Sequence, residues 1–360
     1  MTDRFISLGL MSGTSMDGID ASVIDSDGIE DFKIIYNEFC PYDQNIIDEL
    51  STIRDKINGI HEINLYDYKL KELEKKITLK HAAIANSIVR KFQDISLIGF
   101  HGQTIYHDAD QKISKQLGDG KLLSQLTKRS VVYNFRQNDL NNGGQGAPLA
   151  PIFHSILKKN SQHESFLFLN IGGIANETVI YKNKNFFARD IGPGNCMIDA
   201  WIKINSKKLF DNEGEIAKSG KINKIILNQS LDFFLHSKLY NKKSYDIKDF
   251  DLSFVRGLSL EDGAATLTEF TAEIISKKIS SRNIYTCGGG RKNKYLIERI
   301  ENKIKNKIQS IENINLDGDF IESQAFAFLA IRNKLNLPIS FPETTGCKKP
   351  TIGGILINNF

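Results

Sequence analysis

Near the start of the chain, two apolar runs flank Ser12-Gly13-Thr14-Ser15-Met16-Asp17-Gly18, which continues through Ile19 to Asp20. Gly13 and Gly18 let backbone N–H groups approach a ligand with no Cβ in the way, and Ser12, Thr14 and Ser15 add short hydroxyl donors. Such a tip suits the terminal phosphates of a nucleotide. Asp17 and Asp20 would repel phosphate unless a divalent cation lies between them, directly or through water. The same residues also make an ordinary polar turn. Four more small or polar loops follow apolar strand patterns: 101–104, 143–146, 172–173 and 288–290. One such loop means little, but five in one chain imply a ligand with several polar parts lying in a cleft.

Elements must hold these loops in place. Phe5–Met11 and Ile19–Ile24 read as the two arms of a β-hairpin whose tip carries the residues above. A strand over 34–39 follows, then a helix over 44–57 and one long amphipathic helix over 63–92, broken near Lys80. Ile95 to Phe100 is a buried strand that delivers His101-Gly102-Gln103-Thr104 as a loop at its carboxyl end. Val131 to Phe135 is another strand, running into Arg136 and then Gly143-Gly144-Gln145-Gly146-Ala147-Pro148, with Pro148 placed to open the next helix. Phe166–Ile171, Gly172-Gly173 and Ile174–Tyr181 repeat the strand, turn, strand plan of the opening hairpin. Helices are expected over 196–204, 261–279, 293–304 and 322–335, a strand over 284–287, and an edge strand or cap near 351–356. The stretch 240–256 reads as a surface excursion.

Totals bound the class. At 360 residues two domains are the default, and 41% hydrophobic with 25% charged residues is ordinary for a globular protein. A net charge of +4, from 47 basic and 43 acidic residues, is too balanced to imply nucleic acid. Lys277-Lys278 and the lysines of 303–307 alternate with apolar residues as the wet faces of helices do. Cys40, Cys196, Cys287 and Cys347 are widely spaced, so neither a disulfide framework nor a zinc site is indicated, and the reducing cytoplasm is the expected compartment. No apolar run reaches the length of a membrane span, and the N-terminus lacks a signal-peptide pattern.

No GxxxxGK[ST] run exists, which excludes a P-loop, and Gly9 to Asp17 lacks the spacing of a Rossmann fingerprint. The remaining scheme holds phosphate on two hairpins and adenosine against a third glycine loop, as in the superfamily of sugar kinases, actin and heat-shock ATPases. Within it the chain resembles the 1,6-anhydro-N-acetylmuramic acid kinases of bacterial cell-wall recycling. The resemblance rests on 9–20, on His101-Gly102-Gln103-Thr104, and on Phe135-Arg136 with 143–149. It continues through Asn170-Ile171-Gly172-Gly173-Ile174-Ala175-Asn176, Gly192-Pro193-Gly194-Asn195 with Asp199-Ala200-Trp201, and Cys287-Gly288-Gly289-Gly290. It implies an α/β, two-domain ribonuclease-H-like (actin-like ATPase/sugar kinase) fold with an interdomain cleft. One domain is expected over 1–132 plus 336–360, the other over 133–335.

The reaction that the resemblance implies uses ATP and Mg²⁺ to phosphorylate the 6-oxygen of the anhydro-sugar while water opens the 1,6-bridge. The product is N-acetylmuramic acid 6-phosphate. Asp190 occupies the family's catalytic position, where an ionised carboxylate deprotonates the attacking water; by itself an Asp before Gly-x-Gly is more often a turn former or helix cap. Gly13, Thr14, Ser15, Met16, Asp17, Gly18, Ile19 and Asp20 would hold the ATP phosphates, Asp17 or Asp20 reaching Mg²⁺ through water. Gly172 and Gly173 would hold the β- and γ-phosphates, and Gly288, Gly289 and Gly290 the adenosine. Arg136 is the candidate for the lactyl carboxylate, with a structural ion pair as the alternative. Gln103, Gln145 and Glu322 are candidate sugar hydrogen-bonders, and His101 is expected to orient its loop. The family's habit suggests a homodimer, with neither membrane nor nucleic acid as partner. Glu177 departs from the family's small residue there, and Gln137 and Asn138 stand where further arginines are common. Another sugar kinase of the superfamily and a non-catalytic ATP-binding module remain the competing readings.

Overall fold

The computed structural model describes residues 3–13, 15–157, 165–183, 185–241, 244–281 and 283–360. Its strands are β1 Phe5–Ser12, β2 Gly18–Ser26, β3 Phe32–Pro41, β4 Leu97–Asp108, β5 Ile113–Leu117, β6 Ser130–Tyr133, β7 Ser165–Ile171, β8 Ile174–Tyr181, β9 Phe186–Pro193, β10 Ile284–Cys287, β11 Ile308–Ser310 and β12 Ile355–Ile357. The chain divides into two compact units, Met1–Lys159 with Phe320–Phe360, and Asn160–Asp319.

In the first unit the sheet runs β12-β6-β4-β1-β2-β3, with β5 added to β4. β1, β2 and β3 form an antiparallel meander, and β4 lies parallel to β1. β1 is buried on both faces, which is why its sequence is a continuous small and apolar run rather than an alternating one. One face packs Leu8, Leu10, Ile19 and Val23 into a core shared with Leu70, Leu73 and Ile77 of the Asp67–Lys91 helix. Each such side chain contributes about 1.5–3 kcal/mol by leaving water.

The Ile321–Lys334 helix covers the other face and is buried nearly all round, from Ser323 through Asn333. It sits on a trench floored by Gly9 and Gly99, which pair across β1 and β4. A Cβ on Gly9 would lie 1.8 Å from the Ser323 carbonyl oxygen, and one on Gly99 would lie 2.1 Å from the Phe326 carbonyl oxygen. These two glycines set the distance between helix and sheet.

The second unit repeats the plan. Its sheet runs β11-β10-β7-β8-β9, with β7, β8 and β9 antiparallel and β10 and β11 parallel to β7. The Leu260–Lys278 helix packs on this sheet with the Cys196–Asn205 and Lys294–Ile304 helices. Trp201 Nε1 donates to the Leu260 carbonyl at 2.9 Å, tying two of them together.

Several expectations are corrected. The units divide at 159/160 and 319/320 rather than at 132/133 and 335/336, because 133–157 and the Ile321–Lys334 helix belong with the first sheet. His101 to Thr104 is no loop: β4 continues through it to Asp108, since β5 supplies a partner beyond Phe100. Pro151, not Pro148, opens the short helix Pro151–Leu157. The long helix begins at Asp67 after a separate turn of helix, Ile60–Leu65, and is unbroken at Lys80. Lys278, read as a wet-face lysine, is 9% exposed.

Candidate active site

The first hairpin tip is built from beneath. Ser12 points inward, its Oγ 2.7 Å from the Tyr42 hydroxyl and 3.2 Å from His81 Nε2. His81 Nδ1 lies 2.8 Å from the Ile77 carbonyl, and burial pushes the imidazole down to about 4, so it is neutral at pH 7. Ser12 is therefore a support of the tip rather than a donor at its surface. Met16 turns back with φ 59° and fills the core, and Ile19 is fully buried. Their side chains are committed to packing, which leaves only their main chains to meet a ligand. Gly13 is partly open, Ser15 and Asp17 are exposed, and Gly18 is buried. Ser15 Oγ donates to Asp17 Oδ1 at 2.7 Å. Asp20 is half-buried on β2, paired with Met11. Thr14 lies outside the described residues.

Gln103 has no exposed surface, and its Nε2 donates to the Gly13 carbonyl at 2.9 Å. It pairs with Ser12 just beyond the β1–β4 register shift at His101, so the polar end of β4 reaches the tip of the hairpin. On the same strand, His101 Nδ1 contacts the Gly102 carbonyl at 2.8 Å, and Arg136 donates to His101 Nε2 from both Nε and Nη2. Burial first, and then the Arg136 charge, hold His101 well below its usual range. With its acceptor nitrogen taken, His101 orients Arg136 and is no base. Arg136 Nη1 also donates to the Gly146 carbonyl at 2.8 Å, linking it to the glycine loop.

That loop is wrapped around Asp139, a residue to which sequence reading gave no role. The fully buried Asp139 carboxylate accepts from the Gly146 N–H and from Thr345 Oγ1, both at 2.7 Å. The Gln145 N–H donates to the Thr345 carbonyl at 2.8 Å, so the loop is tightly turned. An acid closely followed by Gly-Gly-Gln-Gly was the available signal. Glu322 stands half-buried in the first turn of the Ile321–Lys334 helix.

In the second unit Gly172-Gly173 forms the β7–β8 tip. Its carbonyls accept from the N–H groups of Gly194, Asn195 and Cys196 at 2.8–3.2 Å, which stitches Gly192-Pro193-Gly194-Asn195 to the hairpin. Asp190 lies inside β9, four residues before Gly194, the first of those donors. Strand register puts Asn170, Asn176 and Asp190 side by side across β7, β8 and β9, on one face of the sheet. Asp190 is 7% exposed, and its Oδ2 accepts from the Tyr245 N–H at 2.8 Å. Segment 240–256, featureless in the sequence, thus reaches the carboxylate; a backbone N–H leaves no sequence signal.

Glu177 lies on the opposite face from Asn176 and Asp190. Burial pushes its carboxyl up, offset by Arg189, whose Nε donates to it at 3.0 Å, and by Ser280. Its charge is answered locally and directed away from the Asp190 face.

Gly288, at φ 78°, begins the third loop, where a Cβ would lie 2.2 Å from Asn170 Oδ1. Around Gly289 there is open space within 4 Å of an added Cβ. Arg291 holds the loop shut at its base, donating to the Gly288 carbonyl at 3.1 Å and to Asp319 at 2.6 Å, with Glu312 alongside.

Two units that repeat one strand order, three antiparallel strands followed by two parallel ones, each with a glycine-bearing hairpin tip, define a two-domain ribonuclease-H-like α/β protein, the fold of sugar kinases and actin-like ATPases. The family model described as anhydro-N-acetylmuramic acid kinase matches residues 5–359. An anhydro-N-acetylmuramic acid kinase from Pelagibacter ubique is 50% identical over 375 residues, covering 100% of both chains. One from Zymomonas mobilis is 38% identical, covering 97% of this chain and 98% of its own. Among solved structures, a ROK family glucokinase from Streptomyces griseus in complex with glucose and AMPPNP aligns over 90% of this chain and 99% of that chain, at 12% identity and a TM-score of 0.42. The chain belongs to the anhydro-N-acetylmuramic acid kinase family and is a sugar kinase, a phosphotransferase.

Proposed function

We propose that the protein transfers the γ-phosphoryl group of ATP to the 6-oxygen of 1,6-anhydro-N-acetylmuramic acid while water adds at the anomeric carbon. The C1–O6 bond breaks, O6 bonds to phosphorus, and ADP and N-acetylmuramic acid 6-phosphate leave. The water's proton passes to Asp190. The observation that carries this reading is a buried carboxylate fixed by the Tyr245 N–H, on a strand whose end is stitched to a hairpin tip. A base held in one orientation is what activation of a single water needs.

The tip residues 13–20 and Gly172-Gly173 contribute phosphate-binding groups, and Gly288 to Gly290 the surface for adenosine. Mg²⁺ fits the first tip: exposed Asp17, steered by Ser15, and half-buried Asp20 supply two carboxylates, and this ion is usually held by one or two carboxylates together with phosphates and water. Among the described residues no cluster of three or more His, Cys, Asp or Glu makes a cage of protein ligands alone. Bound there, the ion would neutralise phosphate charge.

Arg136, Gln145 and Glu322 are assigned to the sugar. Gln103, with no open surface, acts on the tip through Gly13. A cytoplasmic homodimer completes the proposal, supported by the family resemblance and by four free cysteines; light scattering giving the mass of one chain would overturn the dimer. Among the described residues no helix is long and apolar enough to cross a membrane.

The test is turnover in ¹⁸O-labelled water. Label is expected on the anomeric hydroxyl of the product. Label in phosphate would mean plain ATP hydrolysis and would overturn the reading. For Arg136, replacement by Ala is expected to raise the KM for the sugar at least about tenfold, with the KM for ATP nearly unchanged, the size of a lost charge-assisted contact. The variant should also stop distinguishing the lactyl carboxylate from its amide. Retained discrimination would leave Arg136 with only its His101 and Gly146 contacts.

A further inference from the structure

The last residue of the Leu260–Lys278 helix reaches back over the sheet that carries Asp190. Lys278 Nζ donates to the Tyr240 carbonyl at 2.7 Å and to the Tyr245 hydroxyl at 3.0 Å. The same hydroxyl donates to the Leu239 carbonyl at 2.6 Å, and the Tyr245 ring packs on Phe250 with centroids 5.3 Å apart. Tyr245 is thus held at its side chain by Lys278, while its backbone N–H holds Asp190 Oδ2. Burying an ammonium is costly, and an apolar residue of the same length would fill the space without that cost. What the ammonium adds is a grip on two oxygens of the segment that touches Asp190.

We propose that Lys278 is a positioning residue for the reaction: by pinning Tyr240 and Tyr245 it keeps the Tyr245 N–H on Asp190 and so fixes the direction of that carboxylate. This rests on Asp190 as the base. Among the described residues, the charges that act on Lys278 are those of Arg189 and Asp190 on β9 and Glu177 on β8, and the Tyr240 and Tyr245 rings pack against its ammonium. Burial pushes the ammonium down to about 8, Arg189 adds to that, and Asp190 and Glu177 oppose it. The sign follows: below about pH 8 the lysine is charged and the grip is complete, and above it the grip loosens.

The experiment compares Lys278→Met, Lys278→Arg and Tyr245→Phe with the unmodified enzyme by kcat, KM and pH profile. Lys278→Met is expected to lower kcat by roughly 10- to 100-fold, the cost of a small misplacement of a catalytic group, with the KM for ATP within about twofold. Lys278→Arg should recover most of kcat at pH 7 and move the alkaline fall in kcat, expected near pH 8 in the unmodified enzyme, to higher pH. Should Lys278→Met fail to fold, Tyr245→Phe, which keeps the N–H and removes the hydroxyl, takes its place with an expected loss of roughly threefold or more. A kcat within twofold in the folded variant, or an alkaline limb unmoved in Lys278→Arg, overturns the proposal. The two readings fail separately. An active Asp190→Asn enzyme removes the base assignment, whereas an inactive one beside a normal Lys278→Met enzyme removes only the positioning role.

Discussion

Asp190→Asn is expected to cut turnover by more than about a thousandfold while ATP still binds, the scale of losing an essential general base. Asparagine has the same shape and keeps one oxygen to accept from the Tyr245 N–H, so the strand and its overlying segment should stay in place. What it cannot do is take a proton from water. The residues proposed for ATP lie elsewhere, on the hairpin tips and the 288–290 loop, which is why calorimetry with a non-hydrolysable ATP analogue should return nearly the unmodified affinity. Turnover within tenfold of normal would end the assignment.

Gly9→Ala is the second large effect, and it acts on stability. The added methyl would sit 1.8 Å from the Ser323 oxygen and 2.6 Å from the Ala327 nitrogen, and both are backbone atoms of a buried helix that cannot swing aside. Overpacking commonly costs about 1–3 kcal/mol, and a contact this short against rigid backbone belongs at or beyond the upper end. Urea unfolding should show it as a lower midpoint or as failure to fold. Gly289→Ala is the matched comparison, since an added Cβ there meets nothing within 4 Å. Its unfolding free energy should change by no more than about 0.5 kcal/mol. Equal stability of the two variants would refute the trench as a determinant of packing.

Much of this was legible in the sequence because its signals are local. Apolar runs ending in small residues located β10 at Ile284–Cys287 and the β7–β8 hairpin, and their repetition announced two similar halves. Where a contact joins distant residues the signal fades. His101 to Thr104 looked like a loop because its composition is polar and glycine-bearing, whereas pairing with β1 on one side and β5 on the other keeps it a strand. Residues 322–335 read as a long helix, but nothing local says which sheet it covers, so the division between units was misplaced. His81 gave no more than a polar residue among apolar ones on a long helix. Lys278 beside Lys277 read as a solvated pair, although the helix turns one toward water and the other into a pocket of tyrosines.

The glycine trench also dictates an order of events as the chain is made. Its floor, Gly9 and Gly99, leaves the ribosome early, but the helix that fills it is encoded by residues 321–334. The first unit is therefore begun first and finished last. Asn160–Asp319, contiguous in sequence, emerges complete while the first sheet still has one bare face. N-terminal-first folding, the usual course for multidomain chains, is closed to this one. Throughout that interval a row of apolar strands stands uncovered, and it is then that the nascent chain is most exposed to wrong partners.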